Sequence, residues 1–282
     1  MGRQPWVWAV LAAAVAAGLG GCGRLDRLNR GLAAVTDERA GEVLRDCLWA
    51  DGSHYRWMDH ETIRCEVMRT DHHPLGDKAT EEIWWLDIWG GRVRIERPSE
   101  KEVITCDGLG WRVFVGGRKT QDLARRAEAA GAGRMVRELV TMPLSLILYG
   151  REIGYLGERI GPAEARTWDR LIVAYGGEGS PRAAAAGDRM VAEIERQSRR
   201  VDAVLVCWSE WPFLGRRFRV AMDDWRPVTA AGGSADEVLV SHRWRFFPVD
   251  EAGATTGPPY YTIRIRKAEF DVRVGWGTFS GP

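Results

Sequence analysis

Hydrophobic and polar positions recur along this chain with two periods, and the switches between them mark its elements. From Thr36 to Gly52 the period is helical. Ala40, Val43, Leu44 and Cys47 stand at i, i+3, i+4 and i+7; Thr36 and Asp37 precede them as an N-cap, and Asp51-Gly52 ends the run. Beyond it the period is two. Ile63, Cys65 and Val67 alternate with Arg64 and Glu66, the pattern of a half-buried strand. Glu82 to Trp89 is apolar on both faces, which predicts a central strand or one covered on its second side. Gly90-Gly91 turns it into Val93 and Ile95. Val103, Ile104 and Cys106 lead to a turn at Asp107-Gly108, and Trp111, Val113 and Val115 follow before Gly116-Gly117. Strands this close together leave no room for crossover helices, so they predict an antiparallel meander.

The middle of the chain returns to helical spacing. Gln121 to Ala130 is rich in alanine and charge. Met135, Val136, Leu139, Val140 and Met142 trace one face, and Pro143 forces a break before Leu144, Leu146 and Ile147. A loop is predicted through Gly157 and Gly161. Trp168 to Tyr175 is then a strand with Leu171, Val173 and Tyr175 on one face, and Gly176 to Gly187 is a loop. The last third is meander again, with strands at Met190–Glu195, Val201–Trp208, around Phe218–Met222 and around Val238–Phe246. In the final strand Ile263 and Ile265 occupy odd positions, whereas Phe270, Val272 and Val274 occupy even ones. A one-residue phase change is what a β-bulge produces, and a bulge bends a sheet. About ten antiparallel strands are too many for a flat open sheet. The fold class is therefore mainly β with α (α+β), a strongly curved antiparallel sheet covered by an N-terminal helix and a central helical segment.

The N-terminus carries a separate signal. Met1-Gly2-Arg3 opens with positive charge, and Val7 to Leu19 is an apolar run of about 13 residues, too short to span a bilayer. Leu19-Gly20-Gly21-Cys22 follows and resembles the lipobox of bacterial lipoproteins, in which the cysteine is lipidated and becomes the mature N-terminus. An uncleaved membrane helix is the alternative, and Gly18, Gly20 and Gly21 argue against it. Gly18, Gly20 and Gly23 also spell a dinucleotide fingerprint, but no strand precedes them. The expected division is a signal peptide at 1–21, a lipidated tether at 22–35 with helical leucine spacing at Leu25, Leu28 and Leu32, one domain at 36–276 with a helical insertion near 121–160, and a tail at 277–282.

Composition narrows the function. The chain is 45% hydrophobic and 28% charged, with net charge +1, so it can bury a core and has no global field to attract nucleic acid. It holds 14 tryptophans, enough for a large aromatic core or a surface for apolar ligands. Beside Cys22, Cys47, Cys65, Cys106 and Cys207 have no metal spacing. Buried thiols and one bridge are both open, with Cys65–Cys106 the first candidate pair.

The order of elements, together with Asp107-Gly108-Leu109-Gly110-Trp111, Trp168-Asp169-Arg170-Leu171-Ile172-Val173 and the strand–turn–strand from Asp188 to Val206, resembles the LolA/LolB-like superfamily of periplasmic lipoprotein carriers, outer-membrane lipoprotein receptors and related lipid-binding lipoproteins. The match is to element order and loose pattern. It implies a half-barrel whose concave apolar face, lidded by helices, holds acyl chains. No functional residue of the carriers or receptors matches here.

Physics alone leads to a similar question. Apolar residues on a concave face either meet a helix or line a cavity. The segment Arg134 to Tyr149 is the natural cover. If it leaves space, Trp111, Trp168, Trp208, Phe218, Trp244 and Phe246 line a pocket suited to lipid; if it fills the space, they are core. Arg92/Arg94, Arg217/Arg219, Arg243/Arg245 and Arg264/Arg266 form rows that make either a solvated face or a basic surface for anionic headgroups. Catalytic motifs are missing, so no enzyme is expected and no cofactor is implied. His54, His60, His72 and His73 with Asp59 and Asp71 match no zinc spacing, so no metal site is expected. Asp223-Asp224 face opposite ways on a strand and make a poor acid/base pair. Two functions remain. One is a membrane-anchored envelope lipoprotein, periplasm-facing, that binds a lipid or lipoprotein acyl chain; Gly23 is not aspartate, which by resemblance to enterobacterial sorting implies the outer rather than the inner membrane. The other is a membrane-tethered protein-interaction module with a filled core.

Overall fold

The computed structural model describes residues 23–52, 54–108, 110–161, 166–175, 188–208, 216–230, 237–251, 253–275 and 277–281. The apolar run at 7–19, Cys22 and the loop at 176–187 lie outside them.

Among the described residues, thirteen strands form one open, curled antiparallel sheet. The strands are β1 (Thr62–Asp71), β2 (Lys78–Asp87), β3 (Val93–Arg97), β4 (Glu102–Cys106), β5 (Trp111–Val115), β6 (Arg118–Lys119), β7 (Gly150–Ile160), β8 (Thr167–Tyr175), β9 (Arg189–Glu195), β10 (Val201–Cys207), β11 (Arg217–Val228), β12 (Val238–Pro248) and β13 (Tyr261–Phe270). Their order, β6-β5-β4-β3-β2-β1-β13-β12-β11-β10-β9-β8-β7, is two meanders joined where the first strand pairs with the last. Glu66 faces Lys267 but Val67 faces Ile265, so Arg266 is an extra residue. That is the bulge the phase change in the last strand predicts, at the centre of the sheet where it bends both halves. The strand itself ends at Phe270, short of Val272 and Val274.

Two of these strands, β6 and β7, have no counterpart among those the alternation predicts. The two-residue β6 is too short to show a period. β7 falls where a loop is predicted, because its glycines mask its alternation: the register slips between Gly150 and Glu152 and between Tyr155 and Gly157, whose φ is +99°. The helical segment accordingly ends at Tyr149 rather than near 160.

The helices are α1 (residues 23–32), α2 (Glu38–Ala50), α3 (His54–Met58), α4 (Leu123–Val140) and α5 (Leu144–Tyr149). In α2 the Asp37 carboxylate accepts from the Ala40 amide at 2.7 Å, and Ala40, Val43, Leu44, Cys47 and Leu48 are buried, as the stripe predicts. The first helix is more than a tether. Leu28 is buried, and a Cβ added to Gly31 would overlap the Ile147 backbone of α5. Residues 34–37 then run along the β7 edge, where the Thr36 amide donates to the Ile153 carbonyl and the Ile153 amide to the Ala34 carbonyl, each at 2.9 Å.

The Cys65–Cys106 bridge does not form. β2 and β3 lie between their strands, which separates them by roughly 14 Å at ordinary strand spacing, beyond disulfide reach. Cys47, Cys65 and Cys106 are buried thiols, and Cys207 is half-buried on β10. Burial pushes the Cys65 thiol up to about 12.

Candidate functional site: the concave face and its rim

Alternation sends one row from each strand to the concave side: Cys65 and Val67, Trp84 and Leu86, Val93 and Ile95, Leu171 and Val173, Val204 and Val206, Val220 and Met222, Trp244 and Phe246, all buried in one cluster. α4 lies in this concavity. From Ala129 to Val140 it is buried almost all round, as a helix enclosed by both sheet and other helices must be. Its fit depends on Gly133, where a Cβ would overlap the six-membered ring of Trp111.

Ionic contacts fix α4 at two places. Near its N-terminus, Arg125 meets Glu102 at 3.1 Å and Glu128 meets Arg97 at 3.3 Å, while Arg97 also holds Glu82 and Glu102 at 2.9 and 2.7 Å. Further along, buried Arg134 pairs with Glu138 at 2.8 Å and with Asp188, the residue before β9. The Arg134 guanidinium also lies over the rings of Tyr175 and Trp208. One helix is thereby tied to both halves of the sheet.

The six aromatic candidates separate into three groups. Trp208, Trp244 and Phe246 are fully buried on the concave side, Trp244 stacked on Trp84 with ring centroids 5.6 Å apart. Trp111 is half-buried against α4, and Phe218 reaches the rim. Trp168 belongs to the opposite face. It stands between the guanidinium groups of Arg159 and Arg166, and its indole donates to Asp202 at 3.0 Å.

At the rim, an open groove of about 780 Å³ lies where β11 begins, β12 ends and β13 begins. Phe218 and Tyr260 face each other there at 6.2 Å. From the groove, rings continue inward. Tyr260 meets Tyr261 edge-on at 6.0 Å, and Tyr261 stacks on Phe246 at 3.9 Å. Exposure falls along this ladder from 57% at Tyr260 to 3% at Tyr261 and zero at Phe246. The Tyr261 hydroxyl lies 3.6 Å from the Met135 sulfur on α4, so the ladder ends under that helix. Arg217 and Glu251 border the groove, the guanidinium donating to the Glu251 carbonyl at 2.8 Å. Tyr260 and Tyr261 were not among the sequence candidates. Their signal was the pair of adjacent aromatics between Pro258-Pro259 and the last alternating strand.

The remaining polar candidates have structural work. His60 Nδ1 lies 2.7 Å from Asp271, and its ring stacks on Phe270. His72 meets Thr262 and Asp77, and His73 accepts from the Leu75 amide in a turn. The side chain of His54 lies outside the described ones. Among the described residues no three His, Cys, Asp or Glu converge as metal ligands. The arginine rows carry acidic partners on the convex face: Arg94 with Glu96, Arg219 with Glu193, Arg245 with Asp223, Arg266 with Glu81. The tail also folds onto that face, Arg94 taking the Thr278 and Gly281 carbonyls while Phe279 is buried beside Arg92.

This architecture is that of a LolA-like half-barrel. Three solved structures share it. A LolA superfamily protein from Nitrosomonas europaea is 11% identical, covering 86% of this chain and 97% of its own, with a TM-score of 0.54. A DUF1329 family protein from Desulfovibrio piger is 9% identical over 87% and 98%, with a TM-score of 0.53. A domain from Vibrio parahaemolyticus described as an outer membrane lipoprotein-sorting protein is 10% identical over 84% and 97%, with a TM-score of 0.50. No protein-family model and no curated protein matches the sequence.

Proposed function

We propose that this chain is an envelope lipoprotein, acylated at Cys22 and facing the periplasm from the outer membrane, that takes an acyl chain of a lipid or lipoprotein through the Phe218–Tyr260 groove and serves lipid or lipoprotein transport. The observation that carries this reading is the ladder of Tyr260, Tyr261 and Phe246 leading from open solvent to beneath α4. A run of aromatic rings leading inward from a groove bordered by Arg217 and Glu251 suits a chain-shaped ligand with a polar head, and the role is read as binding. The sorting protein from Vibrio parahaemolyticus supports the same direction through shared fold, and the lipobox-like Leu19–Cys22 supports the anchor.

One observation favours the interaction module instead. Trp208, Trp244 and Phe246 are fully buried, so the concave face is filled while α4 is seated, and an acyl chain going past Tyr261 requires α4 to shift.

Native mass spectrometry of the mature protein released gently from membranes separates the two. Acyl-chain binding predicts copurifying lipid beyond the N-terminal modification. It also predicts that Tyr260→Asp weakens uptake at least about tenfold, because an acyl chain cannot solvate the new carboxylate. Protein free of added lipid under those conditions favours the module. Cys22→Ser is expected to move the protein from the membrane to the soluble fraction, and retention on the membrane would remove the anchor from the proposal.

A further inference from the structure

The chain that follows Cys22 has no slack. Residue 23 already belongs to α1. From α1, Arg24 donates to the Met58 carbonyl at 2.5 Å and to Glu61 at 2.6 Å, and its guanidinium lies 5.7 Å from the Trp89 ring centre. Farther along, Gly31 is seated against Ile147. A flexible linker would let a tethered domain roam. A docked helix fixes residue 24 beside the last residue of α3 instead.

That end of the molecule exposes large aromatic side chains. Trp49, in the last turn of α2, is 58% exposed, and Tyr55, in α3, is 57% exposed, with Leu25 of α1 at 47%. The α2–α3 turn between the two aromatics is held by the Leu239 amide on the Asp51 carbonyl and by Arg56 on the Glu237 carbonyl. Tryptophan and tyrosine presented this way match the boundary of a bilayer, where an apolar ring and a polar tip are both satisfied. Charge around them is mixed, Arg45 and Arg56 against Asp46 and Asp59, which points to zwitterionic headgroups rather than an anionic patch.

We infer that Trp49 and Tyr55 dock this end of the half-barrel on the phospholipid surface, so that the groove faces away from the membrane holding the anchor. The inference rests on acylation of Cys22 as proposed above. β1 starts next to Glu61 at the docked end, and its last residue, Asp71, pairs with Tyr261 at the ladder. Ten residues of strand place the groove roughly 30 Å above the lipid. Ligand would therefore arrive from the periplasmic side.

The test uses the lipidated mature protein on phosphatidylcholine vesicles carrying a doxyl-labelled lipid. A fluorophore is placed by Asp59→Cys at the docked end or by Glu251→Cys at the groove, each in a Cys207→Ser background. Docking predicts quenching at 59 at least about threefold stronger than at 251, since doxyl acts at contact range while the two sites differ by most of a strand length. It predicts loss of that difference in a Trp49→Ser/Tyr55→Ser double variant that still sediments with vesicles. Sedimentation without preferential quenching at 59 overturns the docking and leaves the anchor. Preferential quenching that survives the double variant overturns the role of the two aromatics. Failure to sediment removes the anchor and the docking together.

Discussion

At Asp51 a single side chain sets a pH dependence. It caps α2, is fully buried, and neither carboxylate oxygen has a hydrogen-bond donor among the described residues. Burial pushes its pKa up to about 8, only partly offset by the Arg200 guanidinium 3.6 Å away. The folded protein thus keeps a proton that the unfolded chain releases near pH 4, and stability falls as pH rises from about 4 to about 8 before levelling off. Asp51→Asn removes the titration. Its stability relative to wild type should rise by about 3.5 kcal/mol between pH 5 and pH 8 in urea unfolding; a difference that does not change with pH would show that the carboxyl is ionised in the fold. Gly133 makes the opposite point about local propensity. Alanine in a helix interior gains about 1 kcal/mol over glycine, but the new methyl would overlap the Trp111 ring, and overpacking costs about 1–3 kcal/mol. Packing is the larger effect, so Gly133→Ala should lower the melting temperature. An increase would mean that Trp111 moves aside freely.

At the scale of elements, α4 shows what periodicity reveals and what it hides. Met135, Val136, Leu139 and Val140 are readable as a helical face and are buried. Arg134 and Glu138 stand four apart among them, and they are buried with Asp188. Spacing within one helix carries no information about a partner 54 residues away. Removing one member of a buried ionic group strands the others, so Arg134→Met should cost about 3–5 kcal/mol in chemical unfolding, and adding Glu138→Leu and Asp188→Leu should recover most of it. A single variant as stable as wild type would show that the cluster is solvated. Trp168 illustrates a different limit. Leu171, Val173 and Tyr175 are readable as one face, and parity places Trp168 on the other, so aromatic character alone does not put a ring in the concavity. β7 stayed hidden because Gly150, Gly154 and Gly157 leave too few side chains to show a period of two.

The whole molecule depends on how an open sheet ends. Strand alternation, short turns and the displaced phase after Ile265 were enough to read a bent antiparallel ribbon, because each is local. Closure of the edges was not legible, because it is made by segments distant in sequence. One edge, β6, is only Arg118–Lys119, short and cationic, which discourages pairing with another chain. The other, β7, is long, and residues 34–37 cover it through Thr36, Ile153 and the Asp37 carboxylate, which accepts the Tyr155 amide at 2.9 Å. Sequence reasoning makes 22–35 a tether; in the fold, residues 23–35 are cover. The two roles differ in what deletion does. A tether at 22–35 can be removed, leaving a chain that starts at residue 36 and keeps the Asp37 cap, without changing stability. Cover cannot: loss of buried Leu28 alone forfeits about 1.5–3 kcal/mol, and the bared part of the β7 edge becomes a template for a second copy. The shortened chain should therefore unfold at least about 3 kcal/mol earlier in urea and form concentration-dependent oligomers in sedimentation velocity. Unchanged stability and a monomer at every concentration would return this segment to the role of a leash.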